Sequence, residues 1–404
     1  MHFDEAVKYL FGLGHEILTL KLGLRNTELL LQALDNPEQT FRAVQIAGTN
    51  GKGSTAVMLD SICRAAGMRT GLYTSPHLVS ITERIQIAGQ QISEENFARH
   101  TSIVREASKR LLDSGEIEAL PTFFEQLTAV ALLAFREARI ELAILETGLG
   151  GRLDSTTAAG AGVVAITRIA MDHEQYLGYT IESIASEKAA IIRPGVTAVI
   201  GKQDPRALSV LLDRCEETGV QPILATLPSE PLRIGLRGKH QLENAAIAIR
   251  VAELLSISRD GIVSGIETAH HPGRLELIDG EPAILLDGAH NPAGAEALRD
   301  YLKECERKPL TLVFGAMSDK KLDRIGEILF PIANNLILTA IDNPRAASLN
   351  ALQAVATKLA RGSVMASDTV ASAFQTSLRI TPRQGMICVT GSLYLIGEWK
   401  QQHE

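Results

Sequence analysis

Lys52 lies in the stretch AGTNGKGSTAVML (47–59), which leaves an apolar run, turns through Gly48, Gly51 and Gly53, and enters a helical pattern. A lysine among glycines at a helix start is suited to phosphate. Backbone N–H groups and the positive end of the helix dipole face an anion there, and the ammonium adds a full charge. The spacing departs from a strict P-loop, which wants a glycine six residues before the lysine and Ser or Thr directly after it; Ile46 and Gly53 hold those places. Three glycines are a costly way to build a mere turn, since each loses entropy on folding, so phosphate binding is the preferred reading.

Four further groups could act beside it. Glu146 follows the apolar run IELAIL, and a carboxylate at the C-terminal end of a parallel strand points into the crevice where α/β proteins bind ligands. It suits Mg²⁺, which takes one or two carboxylates with phosphate oxygens and water; a solvated strand-end acid is the plainer alternative. Asp172 and His173, in VVAITRIAMDHEQYLG, lie just past another strand, with a loop hydrogen bond as the alternative role. Lys188 falls on the apolar stripe of TIESIASEKAAIIRPG, in line with Ile181, Ile184, Ala185 and Ile192. Either its head snorkels to water, or the amine is aimed into a site where desolvation would lower its pKa. In AILLDGAHNPAGAEALRDYL, Asn291 suits a helix N-cap and Pro292 the first helical position, which fixes Asp287 and His290 at the mouth of a second sheet. His240, Gln241 and Asn244 near one helix start, and Gly391 and Ser392 near another, are weaker signals.

Positioning these groups requires parallel sheets. Short β-branched runs (AVQIA, IELAIL, VVAIT, TAVIG) alternate with helical patterns beginning at Ser54, Ile181 and near Arg206, and the alternation resumes with AILLD, TLVFG, NLILT and MICVT. The fold class is α/β, with a P-loop parallel-sheet domain followed by a smaller Rossmann-like α/β domain. At 404 residues the chain exceeds what one core fills, roughly 250 to 300 residues. The breaker cluster His270-His271-Pro272-Gly273 sets the division: a first domain over 1–268, a linker over 269–274 and a second domain over 275–404.

Composition narrows the classes. A net charge of −7 without a Lys/Arg block argues against a nucleic-acid partner. No apolar run approaches the ~18 residues of a membrane span. MHFDEAVKYLFGLG does not read as a signal peptide, so the expected location is the cytoplasm. Cys63, Cys215, Cys305 and Cys388 are scattered without a CxxC pair, which argues against zinc or a disulfide framework.

A phosphate loop, a carboxylate, a histidine and a misplaced lysine, with an Asp/His loop in a second domain, suit a reaction whose intermediate water would destroy. At this point the chain strongly resembles the folylpolyglutamate synthase and dihydrofolate synthase family of the Mur ligase superfamily. AGTNGKGST, LYTSPHLVSITERI, PTFFEQLTAVAL, LETGLGGRLDST, ITRIAMDHEQYLG, IASEKAAIIRPG, LRGKHQLENAA, HPGRLE, LDGAHNPAG, VFGAMSDKK, NPRA and VTGSLYLIGE carry the likeness almost end to end. The resemblance implies that Gly48, Thr49, Asn50, Gly51, Lys52, Gly53 and Ser54 hold the ATP phosphates, and that Ser75, Glu146 and His173 bind Mg²⁺. It implies a carbamylated Lys188 holding a second metal, and adds a monovalent cation as a further expectation. Asn244, Arg274, Asp287 and His290 match nucleotide-binding residues across a domain cleft. Phe123 and Phe124, with the loop from Pro76 to Arg84, look like part of the pterin-side pocket. The implied catalytic groups are Lys52, Lys188 and His173.

The reaction implied is phosphorylation of a carboxylate by ATP, then attack of the L-glutamate amine on the acyl phosphate. Dihydropteroate or the glutamate tail of a reduced folate is the acceptor, and the enzyme is expected to be a monomer. Two departures stand out: His271 where the family often has tryptophan, and a short segment from Lys202 to Arg237. A cell-wall Mur ligase is the rival reading. TSPHL and ETGLGGRLD favour the folate branch, and the chain begins too close to its phosphate loop for the extra UDP-binding domain of such enzymes. A non-catalytic relative would have lost catalytic residues, yet Lys52, Glu146, His173 and Lys188 are all present.

Overall fold

Strand β1 (Arg42–Ala47) is buried at five of its six residues, as a strand covered on both faces must be. The computed structural model, which describes residues 1–14, 23–227 and 232–403, sets β1 inside an eight-stranded sheet. The other strands are β2 (Thr70–Tyr73), β3 (Ile85–Ile87), β4 (Gln90–Gln91), β5 (Leu142–Glu146), β6 (Val163–Ile166), β7 (Thr197–Ile200) and β8 (Pro222–Leu224). Their order is β4-β3-β2-β5-β1-β6-β7-β8, parallel except where β3 and β4 fold back. The helices of this part are α1 (Phe3–Gly12), α2 (Arg25–Ala33), α3 (Lys52–Ala65), α4 (Glu94–Asp113) and α5 (Phe123–Glu137). They continue with α6 (Glu174–Leu177), α7 (Ile181–Ala189), α8 (Pro205–Thr218), α9 (His240–Leu254) and α10 (Arg259–Thr268). One core packs Leu10, Leu30, Phe97 and Phe135 with Tyr73 and Leu145. Another packs Ile184, Ile192 and Leu211 with Val164, Ile166 and Ile200.

The phosphate-loop helix α3 is braced from far along the chain. Gly265 of α10 sits so close that a Cβ there would lie 2.3 Å from Ile62 Cα, and Ser61 Oγ donates to Gly265 O at 2.7 Å. The contact is with backbone, which cannot swing aside. Gly265→Ala is therefore expected to destabilise the fold by about 1–3 kcal/mol, read as a lowered Tm in thermal denaturation.

The chain divides at Ala269–His270, but the second unit also takes in residues 77–79 and 236–242. Those two short stretches fall within the span that sequence reading gave to the first domain. The short segment from Lys202 to Arg237 includes 228–231, which lie outside the described residues. The second unit has a six-stranded sheet ordered β13-β12-β11-β14-β10-β9. Its strands are β9 (Glu276–Ile278), β10 (Ala283–Asp287), β11 (Leu310–Phe314), β12 (Asn335–Thr339), β13 (Ser363–Ser367) and β14 (Met386–Thr390), parallel except for β9. It carries α11 (Pro292–Glu304), α12 (Leu322–Leu329), α13 (Leu349–Leu359), α14 (Val370–Ile380) and α15 (Leu393–His403). Cys63, Cys215 and Cys388 are buried thiols and Cys305 a partly buried one. No helix among the described residues is long and apolar enough to cross a membrane.

Candidate active site

Because β2, β5, β1, β6 and β7 are successive parallel neighbours, the loops leaving their C-terminal ends emerge side by side, about 4.8 Å apart per strand. Those loops hold Ser75 after β2, Glu146 and Thr147 at the end of β5, residues 48–51 after β1, 167–173 after β6 and 201–203 after β7. The strand order thus gathers the first unit's strand-end candidates onto one edge.

The phosphate loop fits that edge tightly. Gly51 has φ +92, and a Cβ there would lie 2.1 Å from Asn244 Oδ1; at Gly48, φ +153, it would lie 1.9 Å from Thr167 Oγ1. Asn244, among the weaker signals in the sequence, is buried directly over the loop. The N–H groups of Thr49 and Asn50 both donate to Arg168 O, at 2.9 and 3.1 Å. The N-terminus of α3 begins at Lys52, where the helix dipole and the first-turn amides favour an anion. Lys52 Nζ donates to Thr49 O at 3.4 Å. Gly51→Ala is expected to weaken ADP binding by roughly tenfold or more in calorimetric titration, since alanine is strained at this φ and displaces Asn244.

Glu146 is buried, and its Oε2 accepts from Ser75 N at 3.1 Å, so two of the metal candidates are in direct contact. Ser75 precedes Pro76 through a cis peptide bond. His173 adopts a left-handed conformation, φ +51, at the start of α6, and its N–H donates to Asp172 Oδ1 at 2.9 Å. Asp172 thereby holds the histidine's backbone. Among the described residues no three His, Cys, Asp or Glu side chains form a metal cluster. The donor set here is one carboxylate, one imidazole and a hydroxyl, which suits a hard ion completed by phosphate oxygens and water. Two buried hydroxyls without hydrogen-bond partners, Thr55 Oγ1 and Thr147 Oγ1, stand beside Ser54 and Glu146 in the chain, so polar groups remain to be satisfied at this edge.

Lys188 does not snorkel: it is only 4% exposed. Burial, then the like charge of Lys52, push its amine down to about 7, against smaller opposing effects from Asp172, Asp154 and Glu187. The loop after Glu146 is packed onto the turn that bears it. A Cβ on Gly151 would lie 3.1 Å from Glu187 O and 3.2 Å from Lys188 O, and Arg152 N donates to Glu187 O at 3.1 Å.

Asp154, inside LETGLGGRLDST, is a residue that sequence reasoning misses, and it organises that loop. Its Oδ2 accepts from Gly148 N (2.7 Å) and Leu149 N (3.0 Å), and its Oδ1 from Thr156 N (3.0 Å). Burial raises its pKa while these hydrogen bonds pull it down. The signal was an aspartate closing a glycine-rich loop, a turn-forming residue as much as a catalytic one.

On the acceptor side the aromatic pair separates. Phe123 is buried in the core, stacked on Phe11 at 5.3 Å with the Arg84 guanidinium 5.5 Å from its ring centre, while Phe124 is half-buried beside Gly148. Of the two rings, Phe124 keeps exposed surface and Phe123 does not. In the second unit, Asp287 Oδ2 accepts from Leu275 N (2.9 Å) and Oδ1 from Ala289 N (3.0 Å). Burial raises its pKa and Arg274 draws it down. Arg274 Nη1 donates to Gly288 O at 3.3 Å, and His290 Nδ1 to the same carbonyl at 2.8 Å, which places the proton on Nδ1. Asn291 Oδ1 caps α11 from Gly294 N. His271 closes the turn, its carbonyl accepting from Arg274 N at 3.3 Å.

Comparison with known proteins adds identity to this geometry. Residues 46–225 match the family described as Mur ligase middle domain, and residues 273–393 the one described as Mur ligase, glutamate ligase domain. The chain is 37% identical over 360 residues to the dihydrofolate synthase/folylpolyglutamate synthase of Bacillus subtilis, covering 81% of this chain and 83% of the relative. A Mycobacterium tuberculosis folylpolyglutamate synthase complexed with ADP superposes with a TM-score of 0.93 at 29% identity, over 99% of this chain and 98% of that one. A bifunctional folylpolyglutamate synthase/dihydrofolate synthase with Mn, AMPPNP and L-glutamate bound gives 0.87 at 30% identity, over 100% and 98%. The chain spans about half the length of two other curated relatives, the probable bifunctional folylpolyglutamate synthase/dihydropteroate synthases of Halobacterium salinarum (51%) and Haloferax volcanii (50%).

Proposed function

This chain belongs to the folylpolyglutamate synthase/dihydrofolate synthase family of Mur-type ligases, and from that premise we propose that it joins L-glutamate to dihydropteroate, to the glutamate tail of a reduced folate, or to both, at the expense of ATP. The observation that carries the reading is the buried amine of Lys188, electrostatically coupled to Lys52 of the phosphate loop. A simple ATP-binding module has no use for it.

The acceptor carboxylate is a poor electrophile, so its oxygen first takes the γ-phosphoryl group of ATP. Lys52 and the first amides of α3 hold the phosphates and stabilise charge on the group in flight. Ser75, Glu146 and His173 would hold a divalent ion, which when bound supplies further charge neutralisation. The glutamate amine then attacks the acyl phosphate carbonyl, the tetrahedral adduct collapses, and phosphate leaves. Asn244 is assigned to the nucleotide, and Phe123, Phe124, Pro76 and Arg84 to the acceptor; Arg274, Asp287 and His290 are the nucleotide candidates of the second unit.

Lys188 carries one more assignment. With its pKa near 7 the neutral amine is abundant at physiological pH, and its lone pair can attack CO₂. An N–C bond forms, the nitrogen loses one proton to solvent, and a carbamate anion replaces the ammonium. A second divalent ion would then have an oxygen ligand from this position.

The decisive assay mixes the full chain with ATP, Mg²⁺, L-glutamate and either dihydropteroate or a reduced folate. Phosphate release that requires the acceptor is expected; no release with either acceptor would sink the ligase reading, and the pair of acceptors tells one activity from two.

A further inference from the structure

The loop that carries His173 is tied down on two sides, by a side chain of the phosphate loop and by one from the loop after β7. On one side is Thr49, whose hydroxyl donates to Ala170 O (3.0 Å) and accepts from Ala170 N (3.1 Å). The Arg168 carbonyl beside it takes the N–H groups of Thr49 and Asn50. On the other side is Gln203, in the loop after β7. Its Oε1 accepts from Ile169 N (2.9 Å) and its Nε2 donates to Thr167 O (2.9 Å). These partners fix which end of the amide is which, because a flipped amide would set donor against donor and acceptor against acceptor.

From Thr167 to Ala170 the backbone is held at nearly every polar atom: Thr167 N on Ala47 O, Thr167 O by Gln203, Arg168 O by the phosphate loop, Ile169 N by Gln203, and both polar atoms of Ala170 by Thr49. Three residues further on, His173 stands at φ +51. A non-glycine residue in that region persists only where its surroundings over-determine it. Asp172 supplies one local hydrogen bond, the His173 carbonyl accepts from Tyr176 N (2.9 Å) and Leu177 N (3.0 Å) on the α6 side, and the clamped stretch fixes the backbone on the other side.

We infer that Thr49 and Gln203 are positioning residues that hold the His173 loop in register with the phosphate loop, and so set divalent-metal affinity rather than nucleotide affinity. The inference rests on the assignment of Glu146 and His173 to a metal, and not on the identity of the acceptor. The separation of effects follows from the frame. Lys52 and the amides that face phosphate ride on α3, seated between β1 and α10, and need no help from Gln203. His173 rides on a loop whose placement the two clamps supply.

The test is Mn²⁺ binding to the full chain with ADP present, followed by electron paramagnetic resonance. Thr49→Val and Gln203→Ala are each expected to weaken Mn²⁺ by roughly tenfold, with Thr49→Ser restoring most of the loss. The double variant should lose less than the product of the two single losses, since both side chains hold one loop. For Gln203→Ala, whose side chain lies outside the phosphate loop, ADP affinity in EDTA, by calorimetry, is expected to stay within about twofold of wild type. Unchanged Mn²⁺ affinity in both single variants would overturn the inference, and so would a parallel fall in the metal-free ADP affinity of Gln203→Ala, which marks a merely structural role. A wild-type chain that binds no Mn²⁺ would remove the metal assignment and this inference with it. Binding with these variant effects in a chain that ligates no glutamate would uphold the inference and overturn the acceptor reading alone.

Discussion

Lys52→Ala is expected to slow acceptor-dependent phosphate release by roughly 10²–10³-fold, the loss typical of removing one charged donor from a transition state that develops charge. The lysine is half-buried, and its ammonium donates to the Thr49 carbonyl at 3.4 Å, a long contact whose loss costs the fold little. Thermal denaturation should therefore show an unchanged Tm, which separates a catalytic loss from an unfolded one. Lys52→Arg should recover little, because a planar fork does not replace a compact ammonium among closely packed glycines. The variant has a second readout. Lys52 is the like charge that helps depress Lys188, so its removal should raise the Lys188 pKa and make that amine harder to carbamylate. A release rate within threefold of wild type would remove Lys52 from the chemistry.

Lys188→Ala carries the second large effect. Chemistry is expected to fall by roughly 10²-fold or more while ADP binding persists, because the lysine lies on α7 and not in the phosphate loop. Wild-type chain equilibrated with ¹³C-bicarbonate should show a carbamate resonance that the variant lacks. The sign of its pH dependence follows from the depressed pKa: the reactive neutral amine falls about tenfold per unit below pH 7, so the signal should fade from pH 8 to pH 6. The same shift bears on stability. Between about 7 and 10.5 the unfolded chain binds more protons at this site than the folded one, so this group's contribution to stability rises with pH across that window. Full activity in Lys188→Ala, or a carbamate signal unaffected by the substitution, would end the assignment.

Much of this was legible in the residues because local chemistry and global fold agree. The phosphate loop reads as strand, glycine turn and helix, and β1 and α3 lie where that reading requires. Asn291 and Pro292 read as the start of a helix and begin α11. Lys188 was anomalous on an apolar stripe, and its burial is what periodicity implied once snorkelling is set aside. What stayed hidden was long-range. No periodicity places β14 between β11 and β10, or β5 between β2 and β1, since strand order is a property of the assembled sheet. The Thr49 and Gln203 clamps pair side chains with backbone atoms, and any residue can supply a backbone partner. Phe123 and Phe124 are identical in sequence terms, and only the direction of α5 buries one and leaves the other accessible. The excursions at 77–79 and 236–242 carry no breaker cluster and resemble the loops around them.

The Ser61–Gly265 contact spans 204 positions, and Asn244 reaches Gly51 over a comparable stretch. Protein synthesis therefore completes the phosphate loop long before it makes the two residues that brace it. A contact of such separation closes only against a large loop entropy, and only after the later segment has left the ribosome. A nascent chain ending short of α9 has Lys52 and its glycines but neither the packing under Ile62 nor the amide over Gly51. Nucleotide competence is thus acquired late, when the first unit has received its returning segment 243–269.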